Sequence, residues 1–172
     1  MLGDAVIVEG AAAPAIDLQT AKGFLRLDGT EFDVELQIHL SAAIADIERI
    51  SGTRLTRQVV EITADSFTDL ECLSPGPVIE ALSLSYTAPT GTTLTIEPAA
   101  YELAGANLRR GLIPAAGQRW PSRSRSIKAT LRVGYDVVPD NIIWAVLGLT
   151  RAKLDGVRFD VAALLVNDRI WS

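Results

Sequence analysis

The stretch Thr30 to Gly52, TEFDVELQIHLSAAIADIERISG, decides how the rest of the chain is read. Thr30 is placed to act as an N-cap, with Asp33 three residues on in the capping-box position. Glu31, Asp33 and Glu35 put negative charge in the first turns, where the helix dipole favours it. Gly52 supplies the left-handed residue that ends a helix. Between these limits the apolar residues form two stripes. Phe32, Leu36, Leu40, Ala43, Ile47 and Ile50 recur at three and four residues and make a broad face. Val34, Ile38, Ala42 and Ala45 make a narrower second one. Glu35, His39, Asp46 and Arg49 separate the stripes on one side, and Gln37, Ser41 and Glu48 on the other. A helix apolar on two sides is packed on two sides, either inside its own chain or against another subunit.

The 172 residues, 48% hydrophobic and 22% charged, suit a soluble globular domain long enough for a real core; the helical and strand periods along the chain make the expected class α+β. No run approaches the roughly 18 apolar residues of a membrane helix, and the first residues, with Asp4 and Glu9 and no basic start, do not read as a secretory signal. Cys72 is the only cysteine, which excludes an intrachain disulfide and a cysteine metal site. Charge is unevenly distributed. Asp28 to Glu102 holds thirteen acids and three bases, whereas Leu103 to Tyr135 holds seven bases and no acid. The basic block comprises Arg109, Arg110, Arg119, Arg123, Arg125, Lys128 and Arg132. It suits phosphate, the acidic part of the same chain, the acidic part of a neighbouring copy, or solvent.

Outward from the central helix the period changes. Upstream, residues 1–16 read as an arm or a short edge strand, and Asp17 caps a helix over 18–27 whose inner face is Leu18, Ala21, Phe24 and Leu25. Downstream, Leu55 to Thr63, Leu70 to Leu73, Val78 to Tyr86 and Leu94 to Ile96 read as strands. Pro75-Gly76-Pro77 is a break. In Val78 to Tyr86, Leu82, Leu84 and Tyr86 share one face. Residues 104–126 read as a long ordered loop with short strand pieces. Ile127, Ala129, Leu131 and Val133 alternate with Lys128, Thr130 and Arg132, the pattern of a sheet with one wet face. Pro139 opens a further helix, to 155, and Asp160 caps a last one over 161–166. The expected architecture is a single domain, 1–172, with a helical core (17–53 plus 137–172) and an antiparallel β-rich insertion (54–136).

The chemistry of catalysis is sparse. His39 is the only histidine and sits on a polar strip of the central helix. Cys72, beside leucine in an expected strand, reads as a buried structural thiol. Phosphate-binding glycine motifs, a G-x-S-x-G elbow and H-E-x-x-H are absent, and the carboxylates single out no acid–base pair. The expectation is a non-enzyme with no catalytic residue, no metal and no cofactor.

In order and spacing, these fragments resemble the head–tail connector (adaptor) proteins of long-tailed phages and gene transfer agents. The matching residues are Lys22…Leu25-Arg26-Leu27-Asp28, Ala42-Ala43…Ile47-Glu48, Ser51-Gly52-Thr53-Arg54-Leu55, Leu73-Ser74-Pro75-Gly76-Pro77-Val78, Tyr86, Pro98…Tyr101, Trp120-Pro121, Val133-Gly134-Tyr135 and Val138-Pro139. After the Pro139 helix the family often carries aromatics where this chain has Thr150-Arg151-Ala152-Lys153. The resemblance implies a structural ring subunit, commonly of twelve copies, beneath the portal. Such a ring extends the channel for double-stranded DNA and receives a tail-side stopper or terminator protein. It sits in a virion or phage-like particle made in a bacterial cytoplasm, with no membrane contact. On this reading Arg109, Arg110, Arg119, Arg123 and Arg125 face a neighbouring subunit or DNA, and the tail Arg169-Ile170-Trp171 docks on the portal. Two other readings stand beside it. One is a small-ligand or carbohydrate-binding module with Trp120, Tyr101 and Tyr135 around a pocket, and the other a DNA-binding module using the 109–132 block.

Overall fold

A computed structural model describes residues 1–122 and 124–170. Its elements are, in order, β1 (Val6–Glu9), α1 (Leu18–Leu25), α2 (Asp33–Ser51), β2 (Gln58–Ala64), β3 (Val78–Thr87), β4 (Thr93–Thr95), β5 (Tyr101–Ala106), β6 (Arg109–Pro114), β7 (Arg125–Val133) and α3 (Asp140–Asp155). Short 3-10 helices occupy Phe67–Glu71 and Pro98–Ala100. The fold is α+β. A five-stranded sheet runs β1-β2-β7-β3-β4, every neighbouring pair antiparallel, and β5-β6 forms a separate hairpin.

Two apolar cores result. In one, Val60, Ile62, Leu84, Ile127, Ala129, Leu131 and Val133 line the buried face of the sheet against Phe67, Leu70, Leu73 and Leu112. The other gathers α1, α2 and α3 around Leu36, Leu40, Ala43, Ile47, Ile142, Ala145 and Val146. β7 alternates as its sequence requires, with Ile127, Ala129, Leu131 and Val133 buried. β1 extends the sheet from outside the 54–136 region.

Glu48 fixes the passage from helix to sheet. It accepts a hydrogen bond from the Leu55 amide (2.8 Å) and pairs with the Arg54 guanidinium (3.2 Å). Leu55 is thereby held in the helical core, and β2 starts at Gln58 rather than at Leu55. Gly52 adopts φ +69° and ends α2, and Asp17 caps α1 through the Thr20 amide.

Several local expectations are corrected. Thr30 is not an N-cap and forms no capping box with Asp33; α2 begins at Asp33 after Phe32, without a side-chain cap. Asp33 is engaged elsewhere, 2.6 Å from the buried Lys22 ammonium, which also donates to the Gly29 carbonyl. This ion pair holds α1 against the start of α2. Leu70 to Leu73 is not a strand, because Ser66 and Asp69 form a reciprocal capping box that winds Phe67–Glu71 into a 3-10 helix. Cys72, just beyond it, is exposed rather than buried. Leu82 does not share the face of Leu84. A bulge between Ala81 and Ser83 inserts one residue, leaving Leu82 exposed and Leu84 buried. The 104–126 region begins in a regular hairpin, with β5 paired to β6 from Tyr101↔Pro114 to Ala106↔Arg109. The helix expected over 161–166 is a run of turns. Asp160 accepts from the Ala162 amide, but six residues anchored only at Val161 and Leu165 do not recover the cost of helix nucleation.

Candidate docking surfaces

The basic block divides by strand register. Lys128 and Arg132 stand on the wet face of β7 and pair within the chain, Lys128 with Glu61 at 2.9 Å and Arg132 with Glu80 at 2.5 Å. Glu80 lies directly opposite Arg132 in the ladder, the geometry in which opposite charges help a sheet. Arg110 is a strut: its guanidinium donates to the Val78 carbonyl at 3.0 Å and ties the hairpin to the start of β3. Part of the charge asymmetry is therefore used up inside the fold. Arg109, Arg119 and Arg125 are exposed and form no ion pair among the described residues. Arg123 lies outside the described residues.

Arg119 and Arg125 lie at the same end of the sheet, on opposite faces of it. Trp120 stacks on Phe67 (4.5 Å between ring centroids), and Phe67 meets Tyr86 edge-on. In register, Tyr86 opposes Leu94 on β4, and Thr87 opposes Arg125 on β7. Leu94 is exposed on the outermost strand. The corner is thus an apolar point with Arg119 on its own side and Arg125 across the sheet, opposite Thr87. The aromatics of the ligand-module reading do not come together, since Trp120 and Tyr101 belong to the sheet core and Tyr135 to the helical one.

The C-terminal segment folds back on its own chain. The Ile170 amide donates to the Ser51 carbonyl at 2.8 Å, and its side chain fills a slot over Gly52 and Gly76. A Cβ on Gly76 would lie 2.9 Å from the Ile170 Cδ1, so a larger residue there would make the end of the Ile170 side chain shift. Ile170 is buried and Arg169 exposed, so of these two residues only Arg169 is presented outward. Trp171 lies outside the described residues. Arg169 and Arg109 line one depression of about 410 Å³, together with Asn107 and Asn167. The structure thus joins the hairpin tip to the tail. Asn107, at φ +55° in a two-residue turn, was hidden in sequence inside an apparent loop.

Beside the tail, Asn141 donates to Asp168, and Asp168 faces Tyr135. Burial, with the Asp168 charge in second place, pushes the Tyr135 hydroxyl up to about 12, against an opposing hydrogen bond with Thr53. The folded-state value exceeds the ordinary value near 10. The resulting stabilisation is complete below about pH 10 and is lost as pH rises through 12. Tyr135→Phe is expected to flatten the fall of Tm between pH 10 and 12; an unchanged slope would mean that this hydroxyl does not control it.

The fourth surface is the second stripe of α2. Leu36, Leu40, Ala43 and Ile47 are buried as the broad face, but Phe32, at its edge, is exposed. Val34 and Ile38 stand 75% and 62% exposed, and Ala42 and Ala45 are also exposed. Nothing in the described chain covers this side.

Reactive groups do not gather. No cluster of three or more potential metal ligands occurs among the described residues, and His39 lies 3.8 Å from Glu35 along the same helix. No described helix is long and apolar enough to cross a membrane.

The chain matches no protein-family model and no curated protein sequence. Solved structures resemble it over nearly its whole length. A chain in the neck of an empty GTA (gene transfer agent) particle, computed with C6 symmetry, superposes with a TM-score of 0.77 at 20% identity, covering 98% of this chain and 96% of that one. A chain in the virion of a native gene transfer agent particle gives 0.76 at 22% identity, covering 98% and 96%. A third, in the neck of the native particle computed with C12 symmetry, gives 0.70 at 22% identity, covering 97% and 96%. The chain has the fold of these gene transfer agent particle proteins.

Proposed function

We propose that this chain is the head–tail adaptor of a phage or gene-transfer-agent particle: a non-enzymatic subunit that assembles, in about twelve copies, into a ring beneath the portal. The ring extends the DNA channel and receives the tail-side stopper or terminator. The observation that carries this reading is the end-to-end likeness to neck chains, one of them in a neck computed with C12 symmetry. It is supported by exposed surfaces of opposite character in one chain, an apolar helix stripe and an arginine-bearing sheet corner. A cyclic ring needs two different surfaces per subunit.

In this reading the acids between Asp28 and Glu102 of one subunit meet exposed arginines of the next. Such pairs contribute only about 0–1 kcal/mol each, so apolar burial provides most of the affinity. Arginines lining the channel would hold DNA phosphate and impede its passage, which favours the subunit interface as their place. The test is to add purified protein to portal-bearing heads that lack their own adaptor. Electron microscopy is expected to show one ring per head, at the portal vertex. Heads that retain none of the protein would overturn the proposal, and salt-dependent DNA binding lost on neutralising Arg119 and Arg125 would favour the DNA-binding reading.

A further inference from the structure

We infer that the outer stripe of α2 seats the Leu94 corner of the next copy, so that these two surfaces are the two halves of one head-to-tail subunit contact. The inference rests on the ring reading and deepens it.

Three observations lead to it. The first is apolar exposure. Val34 and Ile38 project from α2 with most of their surface in water, and from Val34 to Ala45 the stripe runs about 16 Å at 1.5 Å per residue. Leu94 is exposed on the free edge of the five-stranded sheet, on a strand without a charged residue. Because both patches stay exposed, they do not cover one another within a chain.

The second is the charge around each patch. Asp28, Glu31 and Glu35 are exposed at the start of α2. Arg119 is exposed on the Leu94 side of this corner and Arg125 on the opposite face beside Thr87; neither forms an ion pair among the described residues, and Glu97 is the one exposed acid close to Leu94 in sequence. An apolar centre with a polar rim is the usual anatomy of an interface, and here the acidic start of α2 complements Arg119 beside the Leu94 patch.

The third is symmetry. Two α2 stripes meeting about a twofold axis would set Glu31 and Glu35 against their own copies, and two Leu94 corners would oppose arginine to arginine. Like-with-like contact is disfavoured on both sides. Unlike contact is favoured, and it propagates from copy to copy until a ring closes.

The experiment uses disulfide trapping in full-length chains. Exposed Cys72 is first replaced by serine. Chains carrying only Ile38→Cys are mixed with chains carrying only Leu94→Cys, assembled on portal-bearing heads and oxidised. The expected product is the mixed dimer, with neither homodimer, and the double variant is expected to give a ladder of multimers. Separately, Val34→Asp should leave the Tm of the subunit unchanged, because the side chain is solvated, and weaken assembly at least tenfold. Rings that form yet yield no Ile38–Leu94 disulfide overturn this contact and leave the ring reading intact. Ile38→Cys homodimers, or disulfides to a different particle protein carrying its own cysteine, overturn it as well. A protein that heads do not retain at all overturns both.

Discussion

Gly134→Ala is expected to destabilise the chain by about 3–5 kcal/mol, from backbone strain and from overpacking against a fixed main chain. Gly134 follows the last residue of β7, where the chain leaves the sheet for the helical layer. Its φ is +107°, a region that side-chain-bearing residues rarely enter. A Cβ there would lie 2.0 Å from the Thr56 carbonyl oxygen and 2.4 Å from its carbon. Neither partner can retreat easily: the Gly134 amide donates to the Pro77 carbonyl at 2.9 Å, and Thr56 lies between Leu55, held by Glu48, and the start of β2. Gly91→Ala is the control. Its φ is +86°, but a Cβ there meets nothing within 4 Å, so only conformational strain remains, about 1 kcal/mol. Denaturant unfolding of both variants separates the two contributions. Equal losses would show that the close approach to Thr56 costs nothing.

Removing residues 167–172 is expected to lower stability and to abolish retention on portal-bearing heads, for two separable reasons. Ile170 is a peg inside the subunit, and Ile170→Ala should cost about 2–3 kcal/mol through lost burial and the cavity left over Gly52 and Gly76. Arg169 is exposed beside Arg109, so Arg169→Ala should change stability by no more than about 1 kcal/mol. In the adaptor reading, Arg169 and the following Trp171, residue types common at binding hot spots, carry the docking energy. Arg169→Ala should therefore weaken head retention about tenfold, far more than its small effect on Tm. If instead head binding falls only when Tm falls, the tail contributes folding and not docking.

Much of the fold was legible in the sequence because secondary-structure periodicity is a local property of the backbone. The 3.6-residue recurrence of Leu36, Leu40, Ala43 and Ile47, and the two-residue alternation from Ile127 to Val133, identify which side chains are buried. Asp17 and Gly52 mark helix ends for equally local reasons, a side-chain oxygen for orphan amides and a left-handed φ. The two-sided character of α2 was legible too. Which side the chain itself covers was not, because that depends on where α1 and α3 pack.

Tertiary structure decided whatever depends on a partner distant in sequence. Lys22 takes Asp33 away from the expected cap across eleven residues, and a bulge against β7 turns Leu82 outward although its spacing matches that of Leu84. Glu61 and Glu80 neutralise Lys128 and Arg132 across the ladder, which leaves Arg109, Arg119 and Arg125, among the described residues, exposed without an ion pair in a block that looked uniform. Ile170 finds its slot only because Gly52 and Gly76 are brought side by side, joined by the hydrogen bond from the Gly76 amide to the Gly52 carbonyl. Periodicity assigns each residue a direction relative to its own element. Whether that direction leads to solvent, to a counter-charge or to a slot is set by elements folded in from elsewhere in the chain.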